Sequence, residues 1–164
     1  MVVSDDPVMR ETVETAAIVL RMSPTFIRFG SFEHWAAQGN IDALKTLSNY
    51  VTDKFYPECR APYAQESILR LLQEITRRTA TFIADWQSVG FCHGVLNTDN
   101  MSILGLTLDY GSYGFMDMFK LGHVCNHSDS EGHYAWSRQP SVGLWNLYRL
   151  GIALRPLVTD NQAL

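Results

Sequence analysis

The chain has 164 residues, 46% of them hydrophobic and 18% charged, which is enough apolar material for a single globular unit with a buried core. A formal net charge of −4 excludes a domain that binds nucleic acid by neutralising many phosphates, because such domains carry clustered Lys and Arg. No apolar run reaches the roughly 20 residues that cross a bilayer, and the N-terminal Met1-Val2-Val3-Ser4-Asp5-Asp6 is acidic where targeting peptides are basic.

In chain order, Ala16 to Leu20 and Phe26 to Gly30 read as two extended pieces broken at Pro24. Gly30-Ser31 offers a helix start for Phe32 to Gln38. Asn40 then caps an amphipathic helix whose apolar positions Leu44, Leu47, Tyr50, Val51 and Phe55 recur at three- and four-residue steps, ending before Pro57. The longest helix runs from about Tyr63 to Ser88, with Ile68, Leu69, Leu72, Ile75, Phe82, Ile83 and Trp86 as its apolar stripe and Arg77 and Arg78 off it. Gly90 closes it as a C-cap. A hairpin follows, then a loop rich in Gly, Ser and His from Tyr110 to Arg138, then a last helix over about Val142 to Leu154 carrying Leu144, Trp145, Leu147, Tyr148 and Ile152. Thr159 to Leu164 show no closing element. This order is an α+β layout, expected as one unit over residues 1–164.

Cys59, Cys92 and Cys125 are odd in number and irregularly spaced, which fits reduced thiols rather than a disulfide framework; Cys92 and Cys125 are expected to fill core space, and Cys59, beside Pro57 and Arg60, has no neighbour in sequence that would make it reactive. Trp35, Trp86, Trp136 and Trp145 are expected as core or subdomain contacts.

The chemistry concentrates in the hairpin. Asn100 and Asp109 lie nine positions apart, about 30 Å if the backbone were extended. Gly105 sits midway between Met101 to Leu104 and Leu106 to Leu108, where a tight reversal brings the two together. An amide oxygen and a carboxylate suit Mg²⁺, which takes oxygen ligands and is held by one or two side chains together with substrate phosphates. Protein kinases use the same pairing, a catalytic-loop Asn and the Asp of Asp-Phe-Gly, and Asp109-Tyr110-Gly111 is similar to that element. His93 and Asn100 keep the seven-residue step of the kinase loop, but Val95 stands where its catalytic Asp belongs. Asp99 is then the nearby carboxylate that can act as base.

The run His93 to Gly105, Asp109-Tyr110-Gly111, Gly114-Phe115-Met116-Asp117, Pro24 to Glu33, Cys125 to Asp129 and Gln139 to Leu147 closely resemble the selenoprotein O (SelO, or YdiU) family of protein adenylyltransferases. The resemblance implies a protein-kinase-like fold, here mainly the helical C-lobe with a short β-hairpin carrying the metal ligands. It implies transfer of AMP from ATP to Ser, Thr or Tyr hydroxyls of protein substrates, with Mg²⁺, or Mn²⁺ in its place, as the metal. Carried over by position, Asp99 is the base, Asn100 and Asp109 hold the metal, and Arg21, Arg28 and Asp109 bind the nucleotide phosphates. Paired guanidinium groups suit that task because each donates two parallel hydrogen bonds to phosphate oxygens.

The family's nucleotide-anchoring Lys, its partner Glu and its glycine-containing loop have no match here; Lys45 and Lys54 fall on the second helix and Lys120 follows the hairpin. The family's C-terminal region has no match either, so the chain is expected to be an internal piece of a longer protein. A non-catalytic module that binds nucleotide and metal is the alternative expectation. Members of the family are cytoplasmic in bacteria and mitochondrial in eukaryotes, and no membrane or nucleic-acid partner is expected. A zinc site in the tract of His123, Cys125, His127, Asp129, Glu131 and His133 is the third reading. His93 is expected to pack rather than catalyse.

Overall fold

A computed structural model of the chain describes residues 2–9 and 13–159. Residues 160–164, part of the stretch expected to lack a closing element, lie outside the described residues.

Two strands open the chain, β1 (Val2–Met9) and β2 (Val13–Ile18), antiparallel from Val2 opposite Ile18 to Met9 opposite Val13 with an irregularity between Val3 and Pro7. β1 is not expected from the sequence, because Asp5, Asp6 and Pro7 interrupt its apolar alternation. The irregularity beside Pro7 is how a strand accommodates a residue without an N–H. Helices α1 (Phe29–Ala37), α2 (Ile41–Phe55) and α3 (Ala64–Ser88) follow. Two short strands, β3 (Phe91–Cys92) and β4 (Gly114–Phe115), pair antiparallel, and helices α4 (Gln139–Leu154) and α5 (Pro156–Thr159) close the described chain. Mixed helix and sheet agrees with the α+β expectation. No described helix is long and apolar enough to cross a membrane.

Helix α1 starts three residues earlier than the sequence suggests. Phe29 and Phe32 are both fully buried one turn apart on the same face, and the Ser31 hydroxyl accepts the Arg28 N–H across the first turn. α2 begins as expected, with the Asn40 side chain accepting the Ala43 N–H at 3.0 Å. α3 ends as expected at Gly90, whose φ of +68° is the left-handed conformation that glycine adopts most cheaply after a helix. On α3 itself, Leu69 is exposed and Leu71 takes its place in the core beside Ile68, Ile75, Phe82, Ile83 and Trp86.

The last helix buries a different face from the one the sequence suggests. Leu144, Trp145, Tyr148 and Ile152 are exposed, whereas Gln139, Val142, Gly143, Asn146 and Leu150 are buried. Steric fit decides the face: a Cβ on Gly143 would stand 2.2 Å from Ile83 Cδ1, so only this bare side of α4 can lie against α3. The buried amides have their own task. Gln139 accepts the His93 N–H at 2.8 Å and donates to the Phe91 carbonyl at 2.9 Å, while Asn146 donates to the Leu96 carbonyl at 2.8 Å. Helix α4 thereby fixes the backbone of residues 91–96 that leads into the candidate site.

Candidate functional site

The expected hairpin is a tight reversal rather than a regular ladder. Met101 and Thr107 form one antiparallel bridge, and Gly105 turns the chain at φ +68° with its bare Cα against the α3 backbone at Arg78. Three side chains pin the reversal. The buried Tyr56 hydroxyl donates to the Ile103 carbonyl at 2.6 Å, the Trp86 indole donates to the Thr107 hydroxyl at 3.0 Å, and Arg78 stacks over the Tyr56 ring at 4.1 Å. Burial pushes the Tyr56 phenol up to about 12, so it stays a donor.

A second backbone pairing brings the arginines to this reversal. Phe29 N–H donates to the Met101 carbonyl and Ile103 N–H to the Ile27 carbonyl, both at 3.0 Å, which sets Arg28 opposite Ser102. From there Arg28 Nη1 donates to the Asp99 carbonyl at 2.6 Å and lies 3.7 Å from Asp109 Oδ2. One guanidinium therefore bridges the candidate base segment and the candidate metal ligand. Arg21 reaches the same segment from outside, with Nε and Nη2 each 3.3 Å from the Thr107 carbonyl.

The residues of the reversal are individually oriented. Asn97 Oδ1 accepts the Asp99 N–H at 3.0 Å, forming an Asx turn that starts the short 3-10 turn Thr98–Asn100. Asn100 is buried, and its Nδ2 donates to the Val95 carbonyl at 2.7 Å; that bond points Oδ1, the oxygen a hard cation takes, the other way. Asp109 has φ +62°, a conformation that Asp and Asn tolerate better than other side chains, and its carboxylate is half exposed. Asp99 Oδ1 rests over the bare Cα of Gly30, where a Cβ would stand only 1.9 Å away. Gly30 lies in the first turn of α1, whose positive end attracts a carboxylate.

The family model described as "Protein adenylyltransferase SelO" matches residues 1–164. The chain belongs to the SelO family. It is 69% identical over 170 residues to "Protein nucleotidyltransferase YdiU" of Bordetella petrii and 68% identical to the protein of that name from Bordetella pertussis, in each case over 100% of this chain and 34% and 35% of the relative. The Ralstonia nicotianae protein of the same name is 58% identical over 94% of this chain and 29% of its own length. The chain thus spans about a third of the length of the curated relatives it matches.

In this SelO chain His93 is a support for the Asp109 segment. It is buried against Trp86 and Phe91, its Nε2 lies 2.7 Å from the Leu108 carbonyl, and its Nδ1 accepts the Val95 N–H at 3.3 Å. Those partners assign the neutral form with the proton on Nε2. Burial, opposed by the Leu108 carbonyl and the Asp109 charge, holds the imidazole below its ordinary 6.5. In the unfolded chain it protonates near that ordinary value, so the stability contributed by the neutral ring is present above pH 6.5 and is lost as pH falls below it. Urea melts between pH 5 and 8 should show a downward slope on the acid side of up to about 1.4 kcal/mol per pH unit. A His93→Gln variant should flatten it; an unchanged slope in that variant would assign the acid sensitivity to other groups.

The zinc reading of the His123 to His133 tract finds no support in the geometry. Asp129 accepts the backbone N–H groups of His133 and Tyr134 at 2.8 and 2.7 Å, Cys125 Sγ lies 3.3 Å from the Cys92 carbonyl, and Asn126 donates to the Gly94 carbonyl. Among the described residues no three His, Cys, Asp or Glu side chains gather into a metal cluster. The tract instead straps the start of the site. All three cysteines are free thiols. Gly30, Asn97, Gln139 and Asn146 are the contributors that residue spacing did not single out. An Asn two residues before Asp99 was the one available signal, as the start of an Asx turn.

Proposed function

We propose that this chain carries the metal- and phosphate-binding part of an ATP-dependent protein adenylyltransferase that transfers AMP to Ser, Thr or Tyr hydroxyls. In this reading residues 1–164 form one kinase-like unit, mainly its helical lobe. The observation that carries the proposal is the Arg28 guanidinium held between the Asp99 carbonyl and the Asp109 carboxylate by the pairing of residues 27–29 with 101–103. A cation at the edge of two acidic residues is a place where a polyphosphate and its counter-ion meet.

The donor set fits Mg²⁺. Asn100 Oδ1, oriented by Val95, and the Asp109 carboxylate are two hard oxygen ligands, the number such an ion usually takes from protein when phosphates and waters complete its shell. Bound there, the metal would neutralise charge on the phosphate oxygens. The chain's own residues do the rest. Arg28 and Arg21 exchange their backbone carbonyl partners for phosphate oxygens, which orients the α-phosphorus. Asp99 accepts the proton of the acceptor hydroxyl as its oxygen forms a bond to that phosphorus. The bond between the α-phosphorus and the bridging oxygen to the β-phosphate breaks, and pyrophosphate leaves. The catalysis consists of positioning and charge stabilisation.

The experiment is to incubate the protein at its full encoded length with Mg²⁺ and, separately, α-labelled and γ-labelled ATP. Protein-bound label is expected from the α position only. Label from the γ position alone would make the protein a kinase. A second reading, a module that binds without turnover, is favoured by the placement of Lys45, Lys54 and Lys120, which are all solvent-exposed and outside the Arg28 cluster. It predicts a thermal shift with Mg²⁺ and ATP and no label from either position, since a ligand of the folded state alone raises its stability.

A further inference from the structure

A cavity of about 170 Å³ opens beside Asp99 between α1, α4 and the strap, and the proposed chemistry leaves it unused. Two of its lining residues, Asn97 and Thr98, immediately precede Asp99 in the same turn. A third, Glu33, is one helical turn from Gly30, where the Asp99 carboxylate rests, so its Cβ is about 5–6 Å from that point on the same face of α1. The cavity is thus a neighbour of the candidate base rather than a separate feature of the surface.

Its size and lining select the occupant. Leu96 and Val142 are buried behind it, Tyr134 is half-buried and Trp145 is half-exposed, while the Glu33 carboxylate and Arg149 are neutralised by a 2.7 Å ion pair that ties α1 to α4. A nucleotide or drug-sized ligand needs about 300 Å³ or more. About 150 Å³ of apolar space holds one benzene-sized group. The cavity has room for a single side chain: Leu96, Val142, Tyr134 and Trp145 form its apolar wall, Asn97 and Asn146 are engaged by the Asp99 N–H and the Leu96 carbonyl, and Thr98 and His133 add polar groups to the lining.

We propose, resting on the adenylyltransferase reading above, that this cavity is a subsite for an apolar side chain of the acceptor polypeptide. An acceptor hydroxyl must come within hydrogen-bonding distance of the Asp99 carboxylate. In an extended polypeptide the side chain on the same face is two residues away, roughly 7 Å along the strand, a reach that carries it past the Glu33 Cβ, about 5–6 Å from the Asp99 seat, and into the cavity. The residue seated in the cavity is therefore the one two positions from the modified Ser, Thr or Tyr. Trp145, Leu96 and Val142 would set the acceptor preference, with Trp145, half-exposed on the outer face of α4, standing at the mouth.

The test uses the protein at its full encoded length and a panel of hydroxyl-bearing peptides with Leu, Phe, Ala or Asp at the second position on either side of the acceptor. With α-labelled ATP, kcat/KM is expected to favour Leu or Phe over Ala and Asp by about tenfold on one side, the discrimination an apolar pocket gives. Trp145→Ala, an exposed position whose loss leaves the core intact, should bring the panel towards parity by raising the peptide KM. Val142→Phe, which fills the cavity, should reverse the order; a melting curve reports whether it folds, and Trp145→Ala decides alone if it does not. A flat panel in the unaltered protein, a preference that survives Trp145→Ala, or label entering whole proteins but no peptide would each overturn the subsite. Absence of α-label from every acceptor would instead overturn the adenylyltransferase reading itself.

Discussion

Asp109→Asn is expected to leave the fold in place and, under the proposed adenylyltransferase function, to lower AMP transfer by about 10²- to 10³-fold, the range seen when one preorganised charge-stabilising group is removed. Asn is the substitution that isolates the charge. It keeps the size of the side chain and tolerates the left-handed φ of +62° that Asp109 adopts, where Ala would add backbone strain of about 1–2 kcal/mol. The ion pair it removes, 3.7 Å from the half-exposed Arg28, is worth little to stability because solvent screens it. His93 still grips the Leu108 carbonyl, so the segment keeps its path. Transfer measured with α-labelled ATP beside a thermal melt checks the prediction. A variant that melts normally and transfers within twofold of the unaltered protein would remove Asp109 from the reaction.

How far the sequence could be read depended on which force decided each element. α2 and α3 were legible because a capping Asn40, a helical period and a closing Gly90 act locally and leave local marks. The reversal at Gly105 was legible for the same reason, although its strands shrink to one bridge because Tyr56 and Trp86 side chains, not a ladder, hold it. The orientation of α4 was not legible. Two of its faces are apolar enough to be buried, and the choice rests on a steric fit of Gly143 to Ile83 and on two amides that bind the backbone of residues 91–96. Hydropathy weighs neither. β3 and β4, two residues each, are too short to show alternation, and they form because their partners are brought together by the rest of the chain. At the site, residue types marked Asp99, Asn100 and Asp109, while the placement of Arg28 against them comes from a long-range pairing that local patterns do not encode.

Gly30→Ala tests the least visible part of that placement and is expected to lower kcat by about 10²-fold without weakening the fold. The added methyl would meet Asp99 Oδ1 at 1.9 Å and Cγ at 3.1 Å, so the carboxylate must leave its seat. Little else must move, because its next-nearest neighbour is the Asp99 Cα at 3.6 Å, an ordinary contact. Gly30 lies inside a helix and its φ is not positive, so Ala is compatible with the backbone and improves helix propensity by up to about 1 kcal/mol. Stability should hold or rise while the proposed base is displaced, and a displacement of about 1 Å at a reacting group costs on the order of 10²-fold. The melting temperature and kcat should therefore move in opposite directions or independently, which a purely structural role for Gly30 does not allow. If Gly30 acts only through Asp99, the double variant Gly30→Ala with Asp99→Asn should be no slower than Asp99→Asn alone, since the two changes disable one function. Additive losses would show that the methyl disturbs the neighbouring Arg28 and its proposed phosphate contacts as well. An unchanged kcat in Gly30→Ala would mean that Asp99 acts from a position other than the one it occupies over α1.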